Sequence, residues 1–208
     1  MDHLQYCAEL GAKYYVVHAG LENYVFGRDG ERESRKKIGT LSSGSEVHKL
    51  WTTNALSLAT LADVAEDFGL AIALETGFSN VITVNETLEI VRLAGCKNVK
   101  VCVDTGHINI GGKIKPSEAI REVGRLLIGL HLNDNNGDGD SHLPPGRGRI
   151  DWHAVLDSLR DISYEGRLNI ELKLANWKGE SSWKDVNEGV SVLRRLLEVG
   201  HQSRTNEL

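Results

Sequence analysis

Divalent-metal chemistry needs imidazole and carboxylate groups gathered at one point, and one stretch of this 208-residue sequence offers both at short spacing. It opens with the apolar run from Leu126 to Leu130, ends that run in His131, and turns into a loop crowded with acids and glycines that carries Asp140-Ser-His142. Pro144 and Pro145 stiffen the exit, and Trp152 closes the stretch. A histidine at a strand end followed by an Asp-x-His pair suits zinc, and suits manganese where the shell holds more oxygen. Other groups of the same kind stand elsewhere in the chain: His18, Glu75, Asp104 with His107 three residues beyond it, and Glu171.

The elements that must position these groups alternate regularly. A helix is predicted from Asp2 to Leu10 with Gly11 as its stop, then a buried strand from Lys13 to His18. The polar, glycine-rich stretch from Asn23 to Ser45 reads as a long surface excursion. A helix over Val47–Phe68 leads to the apolar strand Leu70–Glu75, and a helix over Asn85–Ala94, with Asn85 as its cap, leads to the strand Val99–Asp104. The pattern continues with a helix over Ser117–Val123, the strand Leu126–His131, a helix over Asp151–Asp161 and a fifth strand, Arg167–Lys173. An amphipathic helix over Ser182–Glu198 precedes a polar tail.

Strands alternating with helices predict an α/β fold with a parallel sheet built from right-handed βαβ units. His18, Glu75, Asp104, His131 and Glu171 each fall at or near the C-terminal end of a predicted strand. In a (β/α) barrel those ends open onto one face, where the catalytic residues of that fold sit. Four of the eight histidines (His18, His107, His131 and His142) lie at strand ends or on the loops beside them. His3, His48, His153 and His201 lie on helices or termini and take no role.

Each group also has a plainer reading. His18 suits a hydrogen-bonded turn residue, Glu75 a cap, Asp104-Thr-Gly an Asx turn, and Asp140-Ser-His142 ordinary loop solvation. Burying Glu171 inside an apolar strand is costly without a partner, and Lys173 on the same face is one candidate. Trp152 is expected to pack behind the Pro-Pro loop, and Trp177 to wall a pocket or to sit in the core or at its rim. The joint placement, five strands in succession delivering metal-type side chains to one end, is what the plainer readings leave unexplained.

Composition narrows the classes. A hydrophobic content of 40%, a charged content of 25% and a formal charge of -5 fit a globular protein with no global basic field to attract nucleic acid. Three widely spaced cysteines (Cys7, Cys96 and Cys102) set up neither a disulfide framework nor a Cys-type zinc ribbon. With no bilayer-length apolar run and no signal-peptide pattern at the N-terminus, no membrane partner is expected, and a reducing, cytoplasmic setting is the default expectation.

Taken in order, Val16-Val-His-Ala-Gly20, Leu74-Glu-Thr76, Val103-Asp-Thr-Gly-His107, His131-Leu-Asn-Asp134, Asp140-Ser-His-Leu-Pro-Pro-Gly146 and Asn169-Ile-Glu171 resemble the xylose-isomerase-like TIM-barrel superfamily. This superfamily holds sugar-phosphate isomerases and epimerases alongside the endonuclease IV group of AP endonucleases. The resemblance runs over nearly the whole chain. It implies a single (β/α) barrel domain over residues 1–208 that lacks about three N-terminal βα units, so that either the chain is truncated or a partner or a second copy covers the open edge. It implies a divalent metal (zinc, manganese or cobalt) on Glu75, Asp104, His131 and Glu171. The endonuclease-type branch would add metal ligands at His107, Asp140 and His142, and one more at His18. Ketose 3-epimerases of the group clasp their sugar with a further Glu and an Arg, and here Val81 and Asn135-Asn-Gly137 stand near those places.

Three functions follow from that resemblance. The first is a metal-dependent isomerase or epimerase of a small keto-sugar, sugar phosphate or polyol derivative, with Glu75 and Glu171 as general base and acid. His107, His18 and Arg147 would then face the substrate. The second is a zinc-dependent phosphodiesterase that cuts DNA at abasic sites, with Arg147 and Arg149 near phosphates. The third is an inactive barrel fragment that binds sugar or a partner chain.

Overall fold

The computed structural model describes residues 2–20, 44–77, 83–110, 112–173 and 180–205. Helix α1 (Asp2–Glu9) is followed by Gly11, whose φ of 74° is a left-handed conformation that side chains resist. Strand β1 (Tyr14–Val17) comes next. It was expected to be buried, and it is half-buried along its whole length. The predicted excursion over 23–45 lies outside the described residues, except that residues 44 and 45 already belong to the next helix.

Helix α2 (Gly44–Glu66) buries Asn54, Ala55, Leu58, Ala62 and Ala65, a stripe at the three- and four-residue spacing of one helical face. Its buried asparagine is satisfied locally, accepting the Gly20 N–H at 2.7 Å and donating to the Gly20 carbonyl at 2.8 Å. Strand β2 (Ala71–Glu75) is buried from Ile72 onward and pairs in parallel with β1, Tyr14 opposite Ala71 and Val17 opposite Leu74. Helix α3 (Val84–Ala94) starts one residue earlier than expected, and its cap is Thr83 rather than Asn85. The reason is local: Glu86 stands three residues beyond Thr83, so each side chain takes the other's backbone N–H, at 3.2 and 2.6 Å.

Strand β3 (Val99–Asp104) leads directly into a short helix, α4 (Thr105–Asn109), where a turn was expected. Helix α5 (Pro116–Val123) carries Pro at its first position, where the missing N–H costs nothing, and a 3-10 turn (Gly124–Leu126) joins it to β4 (Leu127–His131). Helix α6 (Trp152–Asp161) is capped by Asp151, whose side chain accepts the Ala154 N–H, and α7 (Glu180–Thr205) ends the described chain. Strand order is β1-β2-β3-β4.

Among the described residues the predicted fifth strand does not form a ladder. Residues 167–173 make a single parallel bridge, Leu132 with Ile170, through Leu132 N–H to the Asn169 carbonyl at 2.8 Å and Glu171 N–H to the Leu132 carbonyl at 3.0 Å. Beyond Leu132 the chain bonds elsewhere: the Asn133 N–H goes to Thr105 Oγ1 and the Asp134 N–H to the Leu143 carbonyl. Pairing therefore stops after one residue, which still suffices to fix Glu171 beside Leu132.

The chain forms two compact units, Met1–Gly77 with Val81–Val101, and Phe78–Asn80 with Cys102–Leu208. In the first, α2 packs on α3 and both lie near β2; in the second, α5 packs on α6. Among the described residues no helix is long and apolar enough to cross a membrane.

Candidate metal centre

In the first unit the apolar run of β2 carries Glu75 inward, and the residue is only 5% exposed. Its Oε2 lies 3.4 Å from Nε2 of His18, whose side chain is 65% exposed at the end of β1. Of these two strand-end residues one is buried and the other reaches from solvent.

The second unit holds the larger group. Asp104 is the last residue of β3 and the N-cap of α4, and it is fully buried. Its Oδ1 accepts the His107 N–H at 2.7 Å, and its Oδ2 accepts Nδ2 of Asn133 at 2.9 Å. Capping is what starts α4, and the first turn of that helix brings His107 Nδ1 to 3.9 Å from Asp104 Oδ1. His131 ends β4, and its Nδ1 stands 3.0 Å from Glu171 Oε2. Asp104, His131 and Glu171 each offer a ligand-type atom within 4.8 Å of the others. His131 is therefore the charge partner of Glu171, and the suggested Lys173 is not. The His131 contact holds the Glu171 carboxyl below its ordinary range against the opposing effect of burial, and the charges of His142 and His107 act in the same direction.

His107, Asp140 and His142 form a second group with the same closeness of ligand atoms. Asp140 Oδ2 is 3.1 Å from His142 Nε2, Asp140 Oδ1 is 4.0 Å from His107 Nε2, and the two imidazoles meet edge to face at 6.4 Å. His142 has a φ of 46°, a left-handed conformation uncommon outside glycine and enriched at functional sites. Burial raises the Asp140 carboxyl, but its contacts with His142 and then His107 outweigh burial and leave it lowered. His142 is raised, chiefly by its hydrogen bond to Asp140 and against the effect of burial.

Several buried polar residues here were given no site role in the sequence reading. Thr105, Asn133, Asp134 and Asn135 are all buried. Asp134 accepts four hydrogen bonds: from the N–H groups of Asn135 and Ile150 on Oδ1, and from Gly146 N–H and the Trp152 indole on Oδ2. It thereby ties down both ends of the loop that carries Asp140 and His142. Trp152 is buried, 4% exposed, and its indole N–H donates to Asp134 at 2.8 Å. The signal was the polar Asn133-Asp-Asn135 run directly after a buried strand, where burial obliges each polar group to find a partner. The guanidinium of Arg147, expected to face substrate, pairs with Asp185, at 2.8 Å, and with Glu188, both on α7. Trp177 and Val81 lie outside the described residues.

The donor set fits a divalent cation. Carboxylate and imidazole are the ligand types that zinc and manganese prefer, and Asp140 Oδ1 and His142 Nδ1 are buried atoms without a hydrogen bond among the described residues. Buried groups of this kind are costly unless something else satisfies them.

Comparison with known proteins accords with this geometry. The chain is 33% identical to a D-psicose 3-epimerase of Agrobacterium fabrum over 64% of its own length and 47% of that protein's. It is 28% identical to an inosose isomerase of Bacillus velezensis over 81% of its length and 56% of the relative's. Among solved structures it is similar to a D-tagatose 3-epimerase-like protein, with a TM-score of 0.73 and 27% identity over 97% of this chain and 68% of that one. The chain thus spans about half the length of these curated relatives. Residues 1–196 match the model of the xylose isomerase-like TIM barrel family, and the chain belongs to that family.

Proposed function

We propose that this chain carries the cation-binding and proton-transfer residues of a divalent-metal-dependent isomerase or epimerase acting on a small keto-sugar, sugar phosphate or polyol derivative. The observation that carries the proposal is the convergence of Asp104, His131 and Glu171, three ligand-type side chains from one unit, within 4.8 Å. Glu75 is the fourth ligand of the proposal. Its support is its burial at the same end of its own strand and the similarity to sugar epimerases and an inosose isomerase. Zinc, manganese or cobalt would be held by these four residues, and when bound would draw electron density from a carbonyl and so acidify the neighbouring C–H.

The residues themselves supply the proton chemistry. Glu171, kept ionised by His131, takes the proton from the carbon beside the carbonyl, and the C–H electron pair moves into the substrate as an enolate. Glu75, entering the step as the neutral acid, would return a proton to that carbon and leave as a carboxylate, while Glu171 leaves protonated, until exchange with solvent resets both. His107 would orient the substrate oxygen, and the exposed His18, 3.4 Å from Glu75, would meet a substrate group.

Incubating the protein with manganese or cobalt and D-psicose, D-tagatose or an inosose in heavy water tests this. Deuterium is expected at the carbon next to the carbonyl, read by NMR. Glu171→Gln should lower that exchange by roughly 10²–10⁴-fold. Full exchange in that variant would remove the assignment.

The group of His107, Asp140 and His142 favours a second reading, a zinc-dependent phosphodiesterase acting on DNA at abasic sites. Two or three zinc ions per chain and cleavage of an abasic duplex would establish it. One ion per chain without cleavage would exclude it.

A further inference from the structure

We propose that Asn133 is a positioning residue that fixes the direction in which Asp104 presents its carboxylate to a bound cation. The inference rests on the reading of Asp104, His131 and Glu171 as cation-binding residues. Asn133 follows His131 by two positions and is fully buried, and its Nδ2 donates to Asp104 Oδ2 at 2.9 Å. The other oxygen of the same carboxylate takes the His107 N–H at 2.7 Å. With a donor on each oxygen, the carboxylate plane cannot turn about its terminal torsion without losing one of two charge-assisted hydrogen bonds.

The donor is itself clamped. Thr105 Oγ1 accepts the Asn133 N–H at 3.1 Å and donates to the Asn133 carbonyl at 2.7 Å, so one hydroxyl holds both polar atoms of the Asn133 backbone. Gly106 leaves the room for the side chain: a Cβ there would stand 1.9 Å from Asn133 Oδ1. Turning the amide over would set its oxygen against Asp104 Oδ2, so the network itself assigns the NH2 to Asp104.

One feature separates positioning from simple stabilisation. Asn133 Oδ1 is buried without a hydrogen bond, an arrangement that costs the fold free energy. An apolar side chain at 133 would avoid that cost and would lose only the donor to Asp104. The amide is therefore spent on aiming a carboxylate, as groups behind metal ligands commonly are.

The test compares Co2+ binding by the whole chain, read by calorimetry and by the visible absorption of the Co2+ complex, in the wild type, Asn133→Ala, Asp104→Ala and Asn98→Ala. Asn98 donates to the Ala62 carbonyl at 2.8 Å, which makes its variant a control for loss of a structural amide. Asn133→Ala is expected to weaken Co2+ binding by about 10–100-fold and to change the absorption spectrum, with Asn98→Ala unchanged in both. Gly106→Ala, which displaces the amide without removing it, should act in the same direction. Asn133→Ser replaces the Ala variant should that one not accumulate. Wild-type affinity and spectrum in both Asn133→Ala (or Ser) and Gly106→Ala, with binding lost in Asp104→Ala, would overturn the positioning role alone. Unchanged Co2+ binding in Asp104→Ala would overturn the metal reading and this inference with it.

Discussion

Asp104 and Asp134 are both fully buried and both stand at or just beyond the end of a strand, yet their partners differ in kind. Asp134 is surrounded by four donors, three backbone N–H groups and one indole, all of which belong to its own loop and to the start of α6. Four donors match the four acceptor positions of a carboxylate, and none of them is a ligand or an acid–base group. Asp104 is steadied by one backbone N–H and one amide, and it shares its space with the ligand-type atoms of His131 and Glu171. Burial marks both residues as important; only the chemistry of the neighbours tells a structural carboxylate from one placed for work.

The largest expected effect breaks the structural side of that contrast. Asp134→Ala strands three backbone donors and an indole in a buried loop, a loss of roughly 3–5 kcal/mol. Urea denaturation should show the loss equally with and without Co2+. Asp104→Ala should behave differently. It removes a helix cap, worth about 1 kcal/mol, and abolishes the stabilisation by Co2+, which for the wild type is about 2.7 kcal/mol at a hundredfold excess over the dissociation constant. Equal responses of the two variants to cobalt would erase the distinction drawn here.

A smaller substitution sharpens it. Trp152→Phe keeps most of the buried ring and deletes only the 2.8 Å donor to Asp134 Oδ2. A cost of about 1–2 kcal/mol is expected, with Co2+ affinity within twofold of wild type. A loss of cobalt affinity in this variant would mean that Asp134, through the loop it ties down, also shapes the ion site.

The same contrast explains what the sequence made legible. Periodicity placed β3 and, within a residue or two at each end, α1, α3, α5 and α6, because strands covered on both faces and helices with one buried stripe leave strong local patterns. Helix α2, by contrast, starts earlier, at Gly44, and α7 runs on to Thr205. The strand-end acids and histidines were visible for the same reason, since the end of an apolar run is easy to find. Thr83, α4 and the single bridge at Ile170 were missed or misplaced because each depends on which partner wins a particular hydrogen bond. Asn133 and Asp134 were missed because nothing in a polar tripeptide reveals that Thr105, 28 residues before Asn133, and Trp152, 18 residues after Asp134, will close around it. Lys173 was offered as the partner of Glu171 from strand alternation, and alternation fails once the strand shrinks to one bridge.

The smallest effect concerns the Asp140–His142 pair, and its sign follows from the two shifts. Asp140 is lowered from an ordinary 3.8, so its contribution is present above that value and is lost as pH falls through the folded-state pKa. His142 is raised from an ordinary 6.5, so its contribution is complete below that value and is lost as pH rises through the folded-state pKa. In metal-free protein the pair therefore stabilises most between these two ordinary values, by about 1 kcal/mol for side chains that remain partly exposed. Thermal unfolding from pH 3 to pH 9 should show a shallow maximum, and His142→Gln should flatten its alkaline side while leaving the rest of the fold intact. Zinc provides the decisive comparison, because it binds deprotonated imidazole. If the group of His107, Asp140 and His142 takes an ion, excess zinc makes the protein of His142→Gln gain less stability than the wild type above pH 6.5, and if the group only orients substrate, the two gain equally through Asp104, His131 and Glu171.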